Sequence, residues 1–374
     1  MTISLRIGLA ALALPLALTG ALAQDLDTLS PDELYEIAKT EGKVTVWSLS
    51  SRIAQVETAF EEKYPGIDFI PVDMNSTNQI ARLIAEQNAG VAEVDALYLS
   101  ETPTLFGELV PDGRLQRYMP PGIAGEIDED LTEPLVAHRL STRALMYNAA
   151  AYPDGPPITN LWQLTTPEWR GKVLLEDPAS RGEALDLLTE IAVRGDEMAA
   201  AYEDLFGEPI EVESDLDGAG EQFIVDLFEN DVILLNKSSE IRAAVGDENA
   251  TDPAVGFMTY SAARDNERNG WALALNNGVN PASGIFFPAV MAVAKDAPNP
   301  AAARLAISFM FGDDSATGGP GNEPFYVMGD YSTRNTIEVP EGALPIEDVT
   351  LWRIQSDKLH ERRGDILDLV ISLQ

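Results

Sequence analysis

GKVTVWSLSSRIAQVETAFEEKYPGIDFIPV, residues 42–72, holds a complete strand–helix–strand unit. Val44-Thr45-Val46-Trp47-Ser48-Leu49 is a short, β-branched apolar run, the composition of a buried strand. Ser50-Ser51-Arg52 turns the chain, and Ile53, Val56, Phe60 and Tyr64 then recur at three- and four-residue steps, one face of a helix. Pro65-Gly66 stops that helix, and Ile67 to Val72 reads as a second strand. Strands joined by a helix of this length are parallel neighbours in one sheet. Open parallel sheets bind ligands beyond the carboxyl ends of their strands. Ser48, Ser50 and Ser51 stand at that point, so binding is expected there.

The same alternation extends in both directions. Upstream, Ser30-Pro31-Asp32-Glu33 forms a capping box with proline at the first helical position, predicting a helix to about Lys39. Downstream, Asn75-Ser76-Thr77 caps a helix carrying Ile80, Leu83 and Ile84. Ala92 to Leu99 reads as a third strand, and a helix with Leu105, Phe106 and Leu109 ends at Pro111-Asp112-Gly113. Such alternation predicts an α/β block with a mostly parallel sheet. A second alternation begins at Lys172-Val173-Leu174-Leu175. It runs through helices at 183–193 and 220–228, a strand at 231–235, a helix at 240–245, and apolar runs at 255–260 and 271–275. Between and after the blocks, 135–148 and 285–294 read as extended crossing segments. A helix at 301–311 and a terminal helix from about Asp357 complete the chain. No repeat of 20–50 residues is evident, which removes solenoids.

Arg6, the apolar run Ile7 to Leu18 and Ala21-Leu22-Ala23 form a secretory signal over residues 1–23. The run is shorter than the ~20 apolar residues that span a bilayer. With no cysteine, lipid attachment at cysteine and disulfides are both excluded. The 25 basic and 61 acidic residues give a formal charge of −36, which argues against nucleic acid and anionic membranes as partners. An anionic ligand would meet long-range repulsion, so basic groups in its site must act locally.

Three passages, in order along the chain, resemble the periplasmic solute-binding proteins of ABC importers, in the group of ferric-iron, phosphonate and sugar-phosphate binders. Tyr147-Asn148 leads through Leu161-Trp162-Gln163-Leu164 to Pro167-Glu168-Trp169-Arg170-Gly171-Lys172-Val173, similar to that family's "YN … WxxLxxPxWKGKV". Ala297-Pro298-Asn299-Pro300-Ala301-Ala302-Ala303 resembles its "APNPxAA" helix start, and Gly329-Asp330-Tyr331-Ser332-Thr333-Arg334-Asn335 its "GxYSTRN" stretch. The resemblance implies an α/β fold of two lobes (type II), each a mostly parallel sheet with flanking helices, joined by crossing strands around a ligand cleft. The expected division is 24–142 plus 285–374 for the first lobe and 143–284 for the second. It also implies a monomeric periplasmic protein whose partners are a small ligand and ABC permease subunits in the inner membrane.

Candidate ligand-binding residues follow from the strand ends. Ser48, Ser50, Ser51, Ser76, Thr77, Ser100 and Glu101 lie where helices begin; singly they read as caps, together as a ring of donors suited to anions. Lys237 and Ser238 follow the strand at 231–235, at the place where iron-binding members of the resembled group carry two tyrosines. Fe(III) prefers anionic oxygen, whereas lysine favours phosphate, phosphonate or carboxylate. Among the arginines Arg52, Arg143, Arg181 with its neighbour Ser180, and Arg334 are candidates for clamping an oxyanion, Arg181 and Arg143 first. Tyr147 and Tyr331 are candidates for stacking, while Trp162 and Trp169 read as core. Two distant histidines, His138 and His360, and no cysteine give no zinc spacing, and Asp265 to Asn276 lacks the closing glutamate of a calcium loop. No metal site and no cofactor are expected. There is no G-x-S-x-G elbow and no recognisable nucleophile–base pair, so an enzyme reading is kept only as a lesser alternative. The sequence therefore points to capture of a small oxyanion-bearing solute by hinge closure, with ferric-iron binding as the alternative.

Overall fold

A computed structural model describes residues 25–374; the predicted secretory segment, residues 1–23, lies outside them. The strands are β1 (Lys43–Ser48), β2 (Asp68–Asp73), β3 (Ala96–Leu99), β4 (Leu115–Gln116), β5 (Val136–Asn148), β6 (Val173–Glu176), β7 (Ile233–Leu235), β8 (Val255–Met258), β9 (Leu273–Leu275), β10 (Gly284–Ala294), β11 (Tyr331–Ser332) and β12 (Trp352–Arg353). The main hydrogen-bonded path runs β2-β1-β3-β10-β5-β8-β6-β7. At one end β1 is parallel to β2 and β3; at the other β6 is parallel to β7 and β8. Between these blocks β5 and β10 cross antiparallel, from Gly284 opposite Ala144 to Met291 opposite Val136. The two expected crossing segments are therefore paired with each other, and β5 is buried over its whole length.

Local chemistry places the elements. Ser30 accepts from the Glu33 N–H while the Glu33 carboxylate accepts from the Ser30 N–H at 2.9 Å, so the capping box forms and the helix Pro31–Glu41 begins there. Gly42, at φ +77°, ends it in the left-handed region, which glycine adopts without strain. The helix Ala54–Lys63 puts Val56 and Phe60 into the first core with Phe69 of β2 and Phe309, whose rings lie 5.1–5.5 Å from that of Phe60. A separate core under the second block gathers Trp162, Phe223 and the helices Gly182–Val193 and Ala219–Glu229. The buried Trp162 indole donates to the Met198 carbonyl at 2.8 Å, which removes the cost of hiding its N–H.

Three details differ from the sequence expectations. The third strand is shorter, Ala96–Leu99, and is preceded by buried Asp95, whose carboxylate accepts from the Thr45 and Asn299 N–H groups at 2.8 and 2.7 Å. The helix expected at Leu105 is one turn, Thr102–Thr104, followed by a wide π turn, Leu105–Leu109; Gly107 there lies against the His360 ring. The acidic segment Gly195–Phe206 is an additional helix, buried only at Met198 and Ala201, too narrow an apolar face to stand out in the sequence. The C-terminal helix Ser356–Ser372 packs on both Gly182–Val193 and the Thr102–Leu109 turn, and so touches both blocks. No helix among the described residues is long and apolar enough to cross a membrane.

Candidate functional site

The loops that follow β1, β2, β6, β7 and β8 all open onto one cavity of about 540 Å³. Five strands from the two ends of the sheet thus present their carboxyl ends to one space, where unpaired N–H groups and helix dipoles favour negative charge. Three pairs of arginines line it, each pair sharing one carboxylate.

The first pair is Arg52 and Arg139. Arg52 donates to Asp330 at 2.5 Å, the Nε of Arg139 lies 3.4 Å from the same carboxylate, and the Ser141 hydroxyl donates to it at 2.7 Å. Both guanidiniums also lie over the Phe325 ring, at 5.5 and 5.3 Å from its centre. The second pair, Arg143 and Arg181, meets at Glu176: Arg143 bonds it directly and Arg181 lies 3.4 Å away. The third, Arg242 and Arg264, faces Asp265 at 4.0 and 3.6 Å; Arg268, exposed and outside the cavity, also reaches Asp265.

Burial alone would raise the Asp330 and Glu176 carboxyls, but their arginines outweigh it and hold both below the ordinary range. Burial pushes Arg52, Arg242 and Arg264 down, and neighbouring arginines add to the effect. Several donors have no hydrogen-bond partner: Nε and Nη1 of Arg139, Nε of Arg143 and Arg242, and the Ser238 hydroxyl. The Arg139 and Arg143 side chains are only 3% and 6% exposed. Buried cations with unmet donors are costly unless an acceptor arrives.

Of the sequence candidates, the structure brings Ser50, Ser51, Arg143, Arg181 and Ser238 to the cavity wall, with Arg52. Ser48 exchanges hydrogen bonds with the Ser50 backbone at 3.1 Å. Ser76, Thr77, Ser100 and Glu101 form a seam beside the cavity: Ser76 bonds Ser100 at 2.9 Å, Thr77 donates to Glu101 at 2.6 Å, and Ser100 donates to Glu183 of the second block at 2.5 Å. Glu101 also pairs with Arg363 of the C-terminal helix at 2.9 Å. Burial raises the Glu101 carboxyl, Glu183 adds to that, and Arg363 opposes it. Ser180 and Lys237 are exposed and do not line the cavity. Tyr147 packs in the second core. Tyr331 donates to the Leu344 carbonyl at 3.0 Å and walls a separate, smaller cavity. Arg334 is buried against the Phe311 and Asp313 carbonyls and Glu126, at 3.1, 3.0 and 2.7 Å.

Sequence reasoning passed over Arg139, Ser141, Arg242 and Arg264. A signal existed for the first two: Arg139, Ser141 and Arg143 alternate along β5, so one strand face carries all three. Arg242 follows Ser238 by one helical turn and shares its face. Asp73 and Glu183, besides Glu176, are acids on the cavity wall, and among the described residues no tyrosine, histidine or cysteine lines it. Among the described residues no cluster of three metal-ligating side chains occurs. His138 is buried, hydrogen-bonded to Tyr98 and Met310, and burial lowers it to about 3, so it is neutral.

Two parallel-sheet blocks, two antiparallel crossing strands and a cavity at the strand ends of both blocks constitute the two-lobed periplasmic-binding-protein fold, an α/β architecture. Solved structures that share it include iron-bound HitA from Pseudomonas aeruginosa, with 17% identity, a TM-score of 0.68 and coverage of 88% of this chain and 99% of that one. The periplasmic binding protein AfuA from Actinobacillus pleuropneumoniae, with fructose 6-phosphate bound, matches at 17% identity and TM-score 0.64, covering 88% and 97%. Apo ferric ion-binding protein A from Pasteurella haemolytica matches at 14% identity and TM-score 0.64, covering 89% and 98%. No family model and no curated protein sequence matches the chain.

Proposed function

We propose that this protein is the solute-binding component of an ABC importer, held in the periplasm after removal of residues 1–23, and that it captures a small oxyanion-bearing solute. The lobes divide near residues 142 and 285, and the partner is a membrane permease. The observation that carries this reading is the arginine cavity with its unpartnered buried donors. Phosphate, phosphonate and carboxylate groups accept the two parallel N–H bonds of a guanidinium fork. A ligand bonded to arginines of both lobes would favour the closed arrangement by its extra contacts there. The role is binding rather than catalysis, since the cavity presents fixed cations and hydroxyls.

Relatives in fold include iron-bound proteins. Fe(III) is hard and highly charged and is held by anionic oxygen. Here the cavity carboxylates Glu176 and Glu183 are engaged by arginines and by Ser100, and six guanidiniums surround the space. That donor set favours an anion over the metal. A thermal-shift screen of sugar phosphates, phosphonates, carboxylates and Fe(III) citrate tests the reading. A stabilised transition with oxyanions supports it; a visible charge-transfer band with Fe(III) and no response to the organic anions overturns it.

A further inference from the structure

The distribution of charge in the cavity specifies more than an anion. Each arginine pair shares one carboxylate, so each leaves one positive charge without a partner inside the protein. The anchors lie on different elements. Asp330 sits beside β11 on the loop side of β1, Glu176 ends β6, and Asp265 follows β8. The Asp330 pair therefore reaches the cavity from the first block's side, and the Asp265 pair from the second block. Arg52 and Arg139 are joined there by the Ser141 hydroxyl; Arg242 and Arg264 stand with Ser238, Thr259 and Ser261. Unpartnered donors occur on both sides, on Arg139 and on Arg242 with Ser238.

A single phosphate or carboxylate group seated in the fork of one pair leaves the unpartnered donors of the other unmet. Seated on one pair, it would leave the surplus charge of the others without a counter-ion. It would also leave most of a 540 Å³ space, the size of a site for a whole small organic molecule, to water. Of the acids on the wall besides Glu176, Asp73 is exposed and Glu183 is bonded to Ser100; among the described residues neither forms an ion pair with a cavity arginine.

Building on the oxyanion-binding role proposed above, we infer that the ligand carries two separate acidic groups, one held by Arg52 and Arg139 and the other by Arg242 and Arg264, and that bridging them is what draws the lobes together. A ligand with one acidic group engages one lobe and does not drive closure.

Isothermal titration calorimetry and small-angle scattering on the mature chain test this with matched probes: fructose 6-phosphate against fructose 1,6-bisphosphate, and butyrate against succinate. The expected result is at least 100-fold tighter binding of the doubly acidic probe of at least one pair, with a fall in radius of gyration that the singly acidic probe does not produce. R242Q, checked for an unchanged melting temperature, is expected to abolish that preference. Equal affinities within a pair, with anions still bound, overturn the two-headed ligand and leave oxyanion capture standing. No response to any of the four anions overturns both.

Discussion

Replacing Asp330 by asparagine isolates the anchor on which the first arginine pair rests. The carboxylate is 1% exposed and receives Arg52 at 2.5 Å and Ser141 at 2.7 Å. In D330N the amide keeps the shape and can still accept, but the charge is gone, and two buried guanidiniums face each other without a counter-ion. Removing one partner of a buried ion pair costs about 3–5 kcal/mol. For ~350 folded residues at about 2.1 cal/mol/K each, the unfolding entropy is roughly 0.74 kcal/mol/K. The expected fall in melting temperature is therefore about 4–7 °C, measured by differential scanning calorimetry without ligand at neutral pH. S141A, which removes one hydrogen bond to a charged acceptor, should lose about 1.5–3 kcal/mol, or about 2–4 °C. The destabilised pair should also gain most from an added anion, so fructose 1,6-bisphosphate should raise the melting temperature of D330N more than that of the parent. A D330N protein that melts within 1 °C of the parent would refute the claim that this carboxylate neutralises the pair.

Three further outcomes are expected. Burial raises the Asp186 carboxyl to about 8, with Glu101 and Glu183 adding and Arg363 opposing, so the folded chain keeps a proton that the unfolded chain releases near pH 4. Stability from that proton is present below about pH 4 and is lost as the pH climbs toward 8, by up to about 1.4 kcal/mol per unit; D186N should flatten the melting-temperature profile between pH 5 and 8. In G182A the new methyl carbon would stand 1.9 Å from the Glu101 carboxyl carbon, which Thr77 and Arg363 hold in place, so the seam must shift. The expected loss is about 1–3 kcal/mol, seen as a fall of about 1–4 °C by calorimetry. K237Q, at an exposed position off the cavity wall, should leave anion affinity within twofold by titration calorimetry.

The architecture was legible because it depends on short-range signals. The capping box at Ser30, the Ile53–Val56–Phe60 stripe and the stop at Pro65-Gly66 each act within a few residues, and the helices they predict form with small shifts at the ends. Of the two crossing strands, β10 could be read from its apolar run, both faces being covered, whereas β5 interleaves His138, Arg139, Ser141, Thr142 and Arg143 with its apolar residues. The cavity was legible only in part. Arg143 lies in the crossing segment and Arg181 at a loop-to-helix junction, and position alone marks them. The anchoring of Arg52 on Asp330 joins residues 278 apart, and nothing local to either announces the other. Arg264 lies in a short 3₁₀ turn with no periodicity to place it. Hydroxyls behaved differently. Ser76 and Ser100 satisfy one another, and Ser48 satisfies its own loop, as capping residues do when a backbone donor is nearer than any ligand.

The overall charge of −36 and the arginine cavity have to be considered together. The protein's long-range field opposes an approaching anion, and salt shortens that field to about 8–10 Å. Selection for an anion must then come from contacts inside the cavity, where water no longer screens them. Six of the 25 basic residues are gathered there, all of them arginine. Lysine would bring the same charge on a flexible, strongly hydrated head, whereas a planar guanidinium anchored at one edge by Asp330, Glu176 or Asp265 leaves its remaining donors already aimed. The carboxylates that dilute the cavity's charge thus also fix its geometry. Ordering these side chains happens on folding, so less of the ligand's binding energy is spent on arranging them.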